Sequence, residues 1–393
     1  GARPGSAIGA RALFLAATLL EDGDDAERAR ARAHFATVAA QAPTRAQRAE
    51  ARWRVGWMAW RADEPAAAAE AFEAVARLEV DALERLRPRY WRARALDRLG
   101  RESEAQQAFA AIVRGHPFTY YGLRAARRLE EAPADDGSRA GAGASGVSDP
   151  QPAASAGLVT LPDRALVRAR ILLEAALREE ARRELPDLTR RVRTDADRLA
   201  LGRLLADAGD PHAAQQLVLV GQWERLAAGP EPGLEGLWRL AWPRAFAPLV
   251  EAPARRHGVE PALVFAVMRE ESGYRPEVVS SVGARGLLQI MPDTGVRLAG
   301  SLGRAGFEPA ALFEPATNLE LGAYYLSELL ARFRGRRSAA VAAYNAGPGA
   351  VQRWLDARGQ VPDDEWVESI PYAQTRQYVR RVLRSWHVYR VLE

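Results

Sequence analysis

A repeat of 37 residues constrains the fold of the N-terminal part of the chain more than any other feature. Phe35, Phe72 and Phe109 stand 37 positions apart, and each closes an alanine-containing stretch. The same spacing relates three aliphatic residues, Val38, Val75 and Ile112. Repeats of this length are typical of helix pairs, which bury their apolar faces by stacking on their neighbours. Residues 1–130 are therefore predicted to form TPR-like helix-pair repeats, with the three phenylalanines buried at equivalent places.

The remaining sequence divides by composition. Residues 131–157 consist mostly of Gly, Ala, Ser, Pro and Asp, which predicts a flexible linker or loop. Helical periodicity returns in 158–233, where we predict a further helical domain. A Gly/Pro break at 229–233 precedes a last unit, 234–393, which is richer in aromatic residues and Gly-containing turns. No stretch alternates with period two for long enough to require a large sheet, so the predicted fold class is mostly all-α.

Composition excludes several classes of protein. The chain has 393 residues, too many for one ordinary core, and no cysteine, so disulfides and cysteine-ligated metals are ruled out. The net charge of +5 comes with no continuous basic stripe, so nucleic-acid binding is not expected. Five scattered histidines lack the spacing of metal ligands: His34, His116, His212, His257 and His387. We predict no metal and no cofactor.

Two further features bear on export and on coding bias. The chain starts at Gly1, and its first long apolar run, 12–20, is too short to span a bilayer, so a membrane anchor is not visible in this chain. All 55 basic residues are Arg, and asparagine occurs only at Asn318 and Asn345. We interpret this as a GC-rich coding bias, against which a surviving asparagine is a candidate for a chemical or geometric role.

Glu271 is the strongest candidate for a catalytic residue. Pro261 suits the first turn of a helix. Four apolar residues then follow a helical period: Leu263, Val264, Val267 and Met268. At about 100° per residue, the centre of this stripe lies roughly 10° from Glu271 and about 90° from Glu270, whose neutralisation is expected to change little. Partial burial would raise the pKa of Glu271 and suit it to general acid catalysis. The alternative is a helix that ends with Glu271 in solvent.

Four clusters in the C-terminal part carry a family resemblance. They are Glu271-Ser272, Ser280–Pro292 (SSVGARGLLQIMP), Ala342–Val351 (AAYNAGPGAV) and Trp366–Leu383 (WVESIPYAQTRQYVRRVL). Their order resembles that of the soluble lytic transglycosylases, peptidoglycan-cleaving proteins of the lysozyme-like superfamily. The match is specific over 257–386. The preceding repeats resemble the family's α-superhelical domain more loosely, chiefly at HPFTYYGLRAARRL, residues 116–129.

The resemblance implies a lysozyme-like catalytic domain at 234–393 with one acid/base, Glu271. In the family, the 6-hydroxyl of N-acetylmuramic acid attacks its own C1, so the β-1,4 bond to N-acetylglucosamine breaks without water. The product carries a 1,6-anhydromuramoyl end. Glycosidases that use two carboxylates differ in this respect. A hydrolytic muramidase and an inactive wall-binding scaffold remain the alternative functions.

The resemblance also implies nine substrate-binding positions: Ser272, Ser280, Gly286, Gln289, Met291, Tyr344, Asn345, Glu368 and Tyr378. Gly286 allows close approach of a sugar ring, and the Gln289 amide can both donate to and accept from an acetamido group. Core packing is an equal alternative for Met291, and an ordinary surface role is the alternative for Glu368. The chain departs from the family pattern at Gln374, where a Glu is frequent, so a negative charge near Arg376 is absent.

The resemblance sets expectations for partners and location as well. Peptidoglycan glycan strands are the expected substrate, and the helical repeats are the expected contact for other cell-wall enzymes. The expected location is the periplasm, and association with the outer membrane stays open.

Overall fold

The computed structural model describes residues 5–79, 81–131 and 159–393, and the chain separates into two compact units, Gly1–Ser138 and Arg139–Glu393. Seven helices make up the described part of the first unit: α1 (Ala7–Leu20), α2 (Asp25–Gln41), α3 (Arg45–Arg61), α4 (Pro65–Leu78), α5 (Leu86–Arg98), α6 (Glu102–Gly115) and α7 (Tyr120–Glu131). Each helix packs against the next one in the chain. This is the neighbour-to-neighbour packing of a repeat array.

The repeated phenylalanines occupy the second helix of each successive pair. Phe35 lies in α2, Phe72 in α4 and Phe109 in α6, and all three are buried. Each ring packs against an aromatic residue of the first helix in its pair, with centroid distances of 5.1 Å to Phe14, 4.8 Å to Trp53 and 5.6 Å to Tyr90, respectively. The predicted burial of the three residues at equivalent places is confirmed.

The tyrosine pair at the start of α7 follows a tight turn. Thr119 Oγ1 donates to His116 O at 2.8 Å and accepts from Gly122 N at 2.9 Å. A Cβ on Gly122 would lie 2.0 Å from His116 O, so no larger residue fits there. Tyr120 and Tyr121 are buried. The Y-Y-G segment is therefore explained by the turn and the core of the first unit.

The second unit begins with seven helices: α8 (Asp163–Glu174), α9 (Arg178–Glu184), α10 (Pro186–Thr189), α11 (Asp195–Asp207), α12 (Pro211–Leu219), α13 (Trp223–Ala228) and α14 (Glu235–Ala241). Both α11 and α12 pack against α14, so helices from either side of the Gly/Pro run 229–233 share one core. The predicted linker 131–157, apart from Glu131, lies outside the described residues.

The rest of the second unit surrounds one central helix. Its elements are α15 (Ala247–Arg256), α16 (Pro261–Glu271), α17 (Pro292–Ser301), a 3-10 helix (Pro309–Phe313), α18 (Pro315–Arg332), α19 (Arg337–Ala346), α20 (Pro348–Arg358), α21 (Asp363–Glu368) and α22 (Ala373–Leu392). Pro261 opens α16, as predicted, and residues 262–268 are all buried because α15, α18 and α22 pack around them. A helix buried on every side is the core of its domain.

The β-structure among the described residues is limited to two isolated antiparallel bridges, which pair Arg285 with Val279 and with Ile290. The predicted all-α fold class is confirmed. None of the helices in the described ranges is both long enough and apolar enough to cross a membrane.

Candidate active site

Glu271 is the last residue of α16, and its side chain is partly buried. The Tyr378 hydroxyl, on α22, donates a hydrogen bond of 2.5 Å to Glu271 Oε1. Burial is the main reason that the pKa of the Glu271 carboxyl rises to about 7; the Tyr378 hydrogen bond opposes this rise and the charge of Glu270 adds to it. A carboxyl with this pKa can give and take a proton near neutral pH.

Glu270, the neighbouring acid, is not the uninvolved side chain that the helical period predicted. Its carboxylate accepts hydrogen bonds from Arg269 Nη1 at 2.9 Å and from Arg381 Nε at 2.7 Å. Only 8% of its side chain is exposed. The helical period did not reveal this enclosure because α16 is covered on several sides, so a residue far from the centre of the apolar stripe is still enclosed.

A turn with left-handed backbone follows the acid. Gly273 and Tyr274 have φ of 56° and 69°, and such a conformation is unfavourable for a residue with a bulky side chain. The buried Ser272 hydroxyl donates to Met268 O at 3.3 Å and accepts from Tyr274 N at 3.1 Å. Both hydrogen bonds of Ser272, a residue predicted to contact substrate, therefore shape the end of α16.

A buried network holds this turn in place. Tyr274 Oη lies 2.7 Å from Tyr389 Oη, and Tyr389 Oη donates to Pro243 O at 3.1 Å. Gln215 of α12 donates through Nε2 to Tyr274 Oη at 3.3 Å and to Ala241 O at 3.0 Å. Buried networks of this kind fix one arrangement of the groups they connect. The helices before the Gly/Pro run thus take part in positioning the residues next to Glu271.

Residues 278–290 fold back on themselves and carry three of the predicted site residues: Ser280, Gly286 and Gln289. Gly286 has φ of 76°, and a Cβ there would lie 2.1 Å from Leu312 O, so the position requires glycine. Gln289 Nε2 donates to Gly286 O at 2.9 Å and to Val278 O at 3.0 Å. The amide nitrogen of Gln289 thus braces the segment, which leaves its Oε1 as the atom suited to accept from a ligand.

Asn318 of α18 fixes the same segment from its buried side. Its Oδ1 accepts from Leu288 N at 2.8 Å, and its Nδ2 donates to Arg285 O at 3.0 Å and to Leu312 O at 2.8 Å. Its survival in a chain with only two asparagines was a signal for this residue, but that signal did not indicate its place in the fold. Its role is geometric, because every side-chain hydrogen bond goes to backbone.

Tyr344 and Asn345, near the end of α19, tie that helix to its neighbours. The Tyr344 hydroxyl donates to Leu288 O at 2.7 Å. Burial, and then the charge of Glu271, hold the pKa of Tyr344 well above its ordinary value, so this phenol stays protonated. Asn345 is exposed, and its Oδ1 accepts from Thr375 Oγ1 at 2.8 Å.

Three other predicted site residues lie in different surroundings. Ser280 Oγ accepts from Ala284 N at 3.0 Å within the folded-back segment. Met291 precedes α17 with 42% of its surface exposed, which argues against the core-packing alternative. Glu368 is buried and paired with Arg380, so it joins α21 to α22 and is not an ordinary surface residue.

Arg376 is held in place although Gln374 stands where the family frequently has a glutamate. Arg376 is buried, and its Nη1 donates to Ile370 O at 2.6 Å. The backbone carbonyl of Ile370 thus binds the Arg376 guanidinium, near which the family pattern places an acidic residue.

Sequence reasoning missed three aromatic residues of this region. The Tyr325 ring lies 5.3 Å from that of Tyr344. Trp354 packs edge-on against Tyr372 at 5.1 Å, and Tyr372 is 59% exposed, three positions before Thr375. Tyr372 stands within the E-S-I-P-Y cluster, which was its available signal; Tyr325 and Trp354 stand in no pattern that marks them.

Comparisons with known proteins show what the chain is similar to. Residues 248–367 match the family model described as Transglycosylase SLT domain. The soluble lytic murein transglycosylase of Salmonella typhimurium is 31% identical over 312 residues, which cover 79% of this chain and 44% of that protein; the protein of the same name from Escherichia coli K12 has the same identity and coverage. The crystal structure of the 70 kDa soluble lytic transglycosylase from Escherichia coli matches with a TM-score of 0.63 and 25% identity, over 98% of this chain and 62% of that chain.

The fold and these matches define the class as an all-α protein with a transglycosylase SLT domain. The resemblance found in the sequence is confirmed: residues 248–367 carry the SLT domain, and most of the chain is similar to Slt-type soluble lytic transglycosylases. It spans less than half the length of the curated relatives that it matches.

Proposed function

We propose that the chain cleaves the β-1,4 bond between N-acetylmuramic acid and N-acetylglucosamine in peptidoglycan without water, leaving a 1,6-anhydromuramoyl end. The observation that carries the proposal is Glu271, a single partly buried carboxyl with a pKa of about 7. The family supplies the substrate class. The nearest other carboxylate along α16, Glu270, is already engaged by two arginines.

The reaction needs one carboxyl because the nucleophile belongs to the substrate. Protonated Glu271 gives its proton to the glycosidic oxygen while the bond from that oxygen to C1 of the muramoyl sugar breaks. The resulting carboxylate takes the proton of the 6-hydroxyl on the same sugar as O6 bonds to C1. Glu271 ends protonated, as it began, so acid and base roles follow each other in one cycle.

Other side chains would orient the acid and hold the sugar. The hydrogen bond from Tyr378 occupies Oε1, which would leave the second carboxyl oxygen, Oε2, for proton transfer. Gln289 Oε1 is suited to accept from an acetamido N–H. Among the exposed groups, Met291, Asn345 and Tyr372 are the candidates for sugar contacts. Tyr344, Ser280 and Gly286 would act by holding the backbone that faces the substrate, and Ser272 and Glu368 by holding the helices.

The test of the acid is Glu271→Gln. The amide keeps its shape and still accepts from Tyr378 but has no transferable proton, so cleavage of purified peptidoglycan should fall roughly 10²–10⁴-fold. Folding and pelleting with insoluble peptidoglycan should persist. The matched control is Glu308→Gln at an exposed glutamate, which should retain full activity. Activity of Glu271→Gln close to wild type would rule out the single-acid mechanism.

The product distinguishes the alternative functions. A transglycosylase yields fragments lighter by one water than hydrolysed ones, without a reducing end and without oxygen from isotopically labelled water. A muramidase yields labelled reducing ends. A wall-binding scaffold yields no soluble fragments at all. Mass spectrometry of one digest in labelled water separates the three outcomes.

Location and partners follow from the substrate. An enzyme acting on peptidoglycan works outside the cytoplasm, and the periplasm is the proposed compartment, with outer-membrane association as the finer possibility to test by fractionation. The first unit, with its repeat array, is the proposed surface for other cell-wall enzymes, because stacked helix pairs expose extended binding faces.

A further inference from the structure

A cavity in the second unit lies among residues that are not proposed to contact the substrate. Its volume is about 470 Å³, within the roughly 300–1,000 Å³ of small-molecule sites. The walls come from α11, α14 and the segments that follow α11 and α14, within residues 203–246. The lining combines three basic side chains with an apolar surface: Arg203, Arg239 and Arg244 with Leu240, Pro243 and Phe246.

The cavity has a positive wall. No acidic residue lines it. Arg244 is paired with Glu251 at 2.7 Å, outside the lining. Arg203 is exposed and makes no ion pair or side-chain hydrogen bond with the described residues. Its Nη2 lies 3.4 Å from the point that a Cβ added to Gly236 would occupy, so the guanidinium lies close to Gly236, which lines the cavity. A guanidinium in this situation is a ready partner for a carboxylate.

The walls are held in place without a ligand. Pro243 O accepts from the buried Tyr389 hydroxyl at 3.1 Å, and Arg182 Nη2 donates to Gly209 O at 3.2 Å. Phe246 has left-handed backbone, with φ of 60°, where the segment enters α15. A cavity whose walls are held by the fold loses little entropy when it is filled.

We propose that this cavity binds a small carboxylate with an apolar body, of the size and chemistry of an N-acylated dipeptide. The carboxylate would lie on Arg203, and the apolar body on Leu240 and Phe246. The arginines select an anion, and the largely apolar remainder of the lining selects a ligand that is more than an inorganic ion.

Calorimetric titration of the full chain with N-acetyl-alanyl-alanine tests the proposal. We expect saturable binding, weakened about tenfold in Arg203→Gln because a charge-assisted hydrogen bond is lost. The C-terminal amide of the same dipeptide should bind about tenfold more weakly for the same reason. Arg170→Gln, at an exposed arginine outside the lining, is the charge-matched control and should leave the affinity unchanged.

Two further titrations test where the dipeptide binds and which chemical groups the site selects. Glu271→Gln should bind the dipeptide as the wild type does, because the proposed catalytic site is not involved. Inorganic phosphate should bind more weakly than the dipeptide acid. The proposal is overturned by any of these results: no saturable binding, equal affinity for acid and amide, no effect of Arg203→Gln, weaker binding to Glu271→Gln, or phosphate binding as tightly as the dipeptide.

Discussion

Glu271 links the proposed chemistry to stability through its raised pKa. The folded chain holds this proton up to about pH 7, whereas the unfolded chain releases it near the ordinary value of 4.5. Between these values the unfolded state binds fewer protons, so the free energy of unfolding falls as pH rises. Glu271→Gln removes this dependence, and above pH 7 it should be more stable than wild type by at most about 3 kcal/mol, with no gain below pH 4.5. Urea unfolding at both extremes measures the difference; an equal gain at both would contradict it.

The charges beside Glu271 should tune its pKa in opposite directions. Glu270 raises this pKa and Arg381 lowers it. The acid step needs the protonated form, so the alkaline limb of kcat/KM should move to lower pH in Glu270→Gln and to higher pH in Arg381→Gln. The two variants serve as controls for each other, because both break the same ion pair. Shifts of the same sign would refute the electrostatic account.

At this scale the sequence predicted the partial burial of Glu271 but not the contacts around it. The apolar stripe and the clustered motifs made Glu271 the candidate acid, since both are local in the chain. The pairing of Glu270 with Arg381 joins residues 111 positions apart, and no periodicity encodes such a contact. Ser272 and Tyr344 were named from the resemblance, which gives a position but not which atom the hydroxyl engages.

Among the elements, α12 is predicted to support the catalytic turn through Gln215. Gln215→Met keeps the volume but removes the hydrogen bonds to Ala241 and Tyr274, so buried acceptors lose a donor and stability should fall by about 1–3 kcal/mol. If the turn after Glu271 relaxes, kcat should fall more than KM changes. Gln216→Met, at the exposed neighbour, is the control and should change neither. Wild-type kcat in a destabilised Gln215→Met would show a purely structural role.

The two asparagines should behave differently when replaced by alanine. Asn318→Ala leaves three buried backbone groups of residues 285–312 without a side-chain partner and should cost at least about 2 kcal/mol. Asn345→Ala affects an exposed side chain with one side-chain partner, so its stability should stay near wild type while KM rises if it contacts the sugar. Thermal unfolding and steady-state kinetics on both variants separate the roles; a larger stability loss at Asn345 would reverse the assignment.

Helix positions were more predictable than helix partners. The 37-residue spacing predicted the equivalent burial of three phenylalanines because local repeats stack on their neighbours. The Gly/Pro run 229–233 marks the end of α13 and the approach to α14, yet Gln215 and Ala241 meet across it. Breaks in helical periodicity show where helices end, and only packing shows which of them share a core.

For the whole molecule, damage to one unit should stay within that unit. Phe72→Ala removes a buried ring that packs on Trp53 and should cost about 3–5 kcal/mol. Hydrogen exchange should rise across α3–α5, because each repeat is stabilised by its neighbours, while residues 159–393 keep wild-type protection. Leu19→Ala, at a highly exposed leucine of the same unit, is the control. Equal loss of protection in both units would show that they unfold together.

The unit boundary also predicts which fragment folds. A fragment of residues 139–393 retains α11 and α12 against α14, together with the Gln215 hydrogen bonds. A fragment of residues 234–393 loses them and exposes the apolar face that they cover. The longer fragment should therefore unfold in one cooperative transition and cleave short glycan fragments at a rate close to that of the full chain. The shorter one should have a lower midpoint and a reduced kcat, because the turn after Glu271 has lost its support. Comparing both fragments with the full chain on insoluble peptidoglycan then tests the role of the first unit. If the 139–393 fragment is less active than the full chain on this substrate alone, the repeat array captures the polymer. If the two are equally active, partner binding remains as the role of the array.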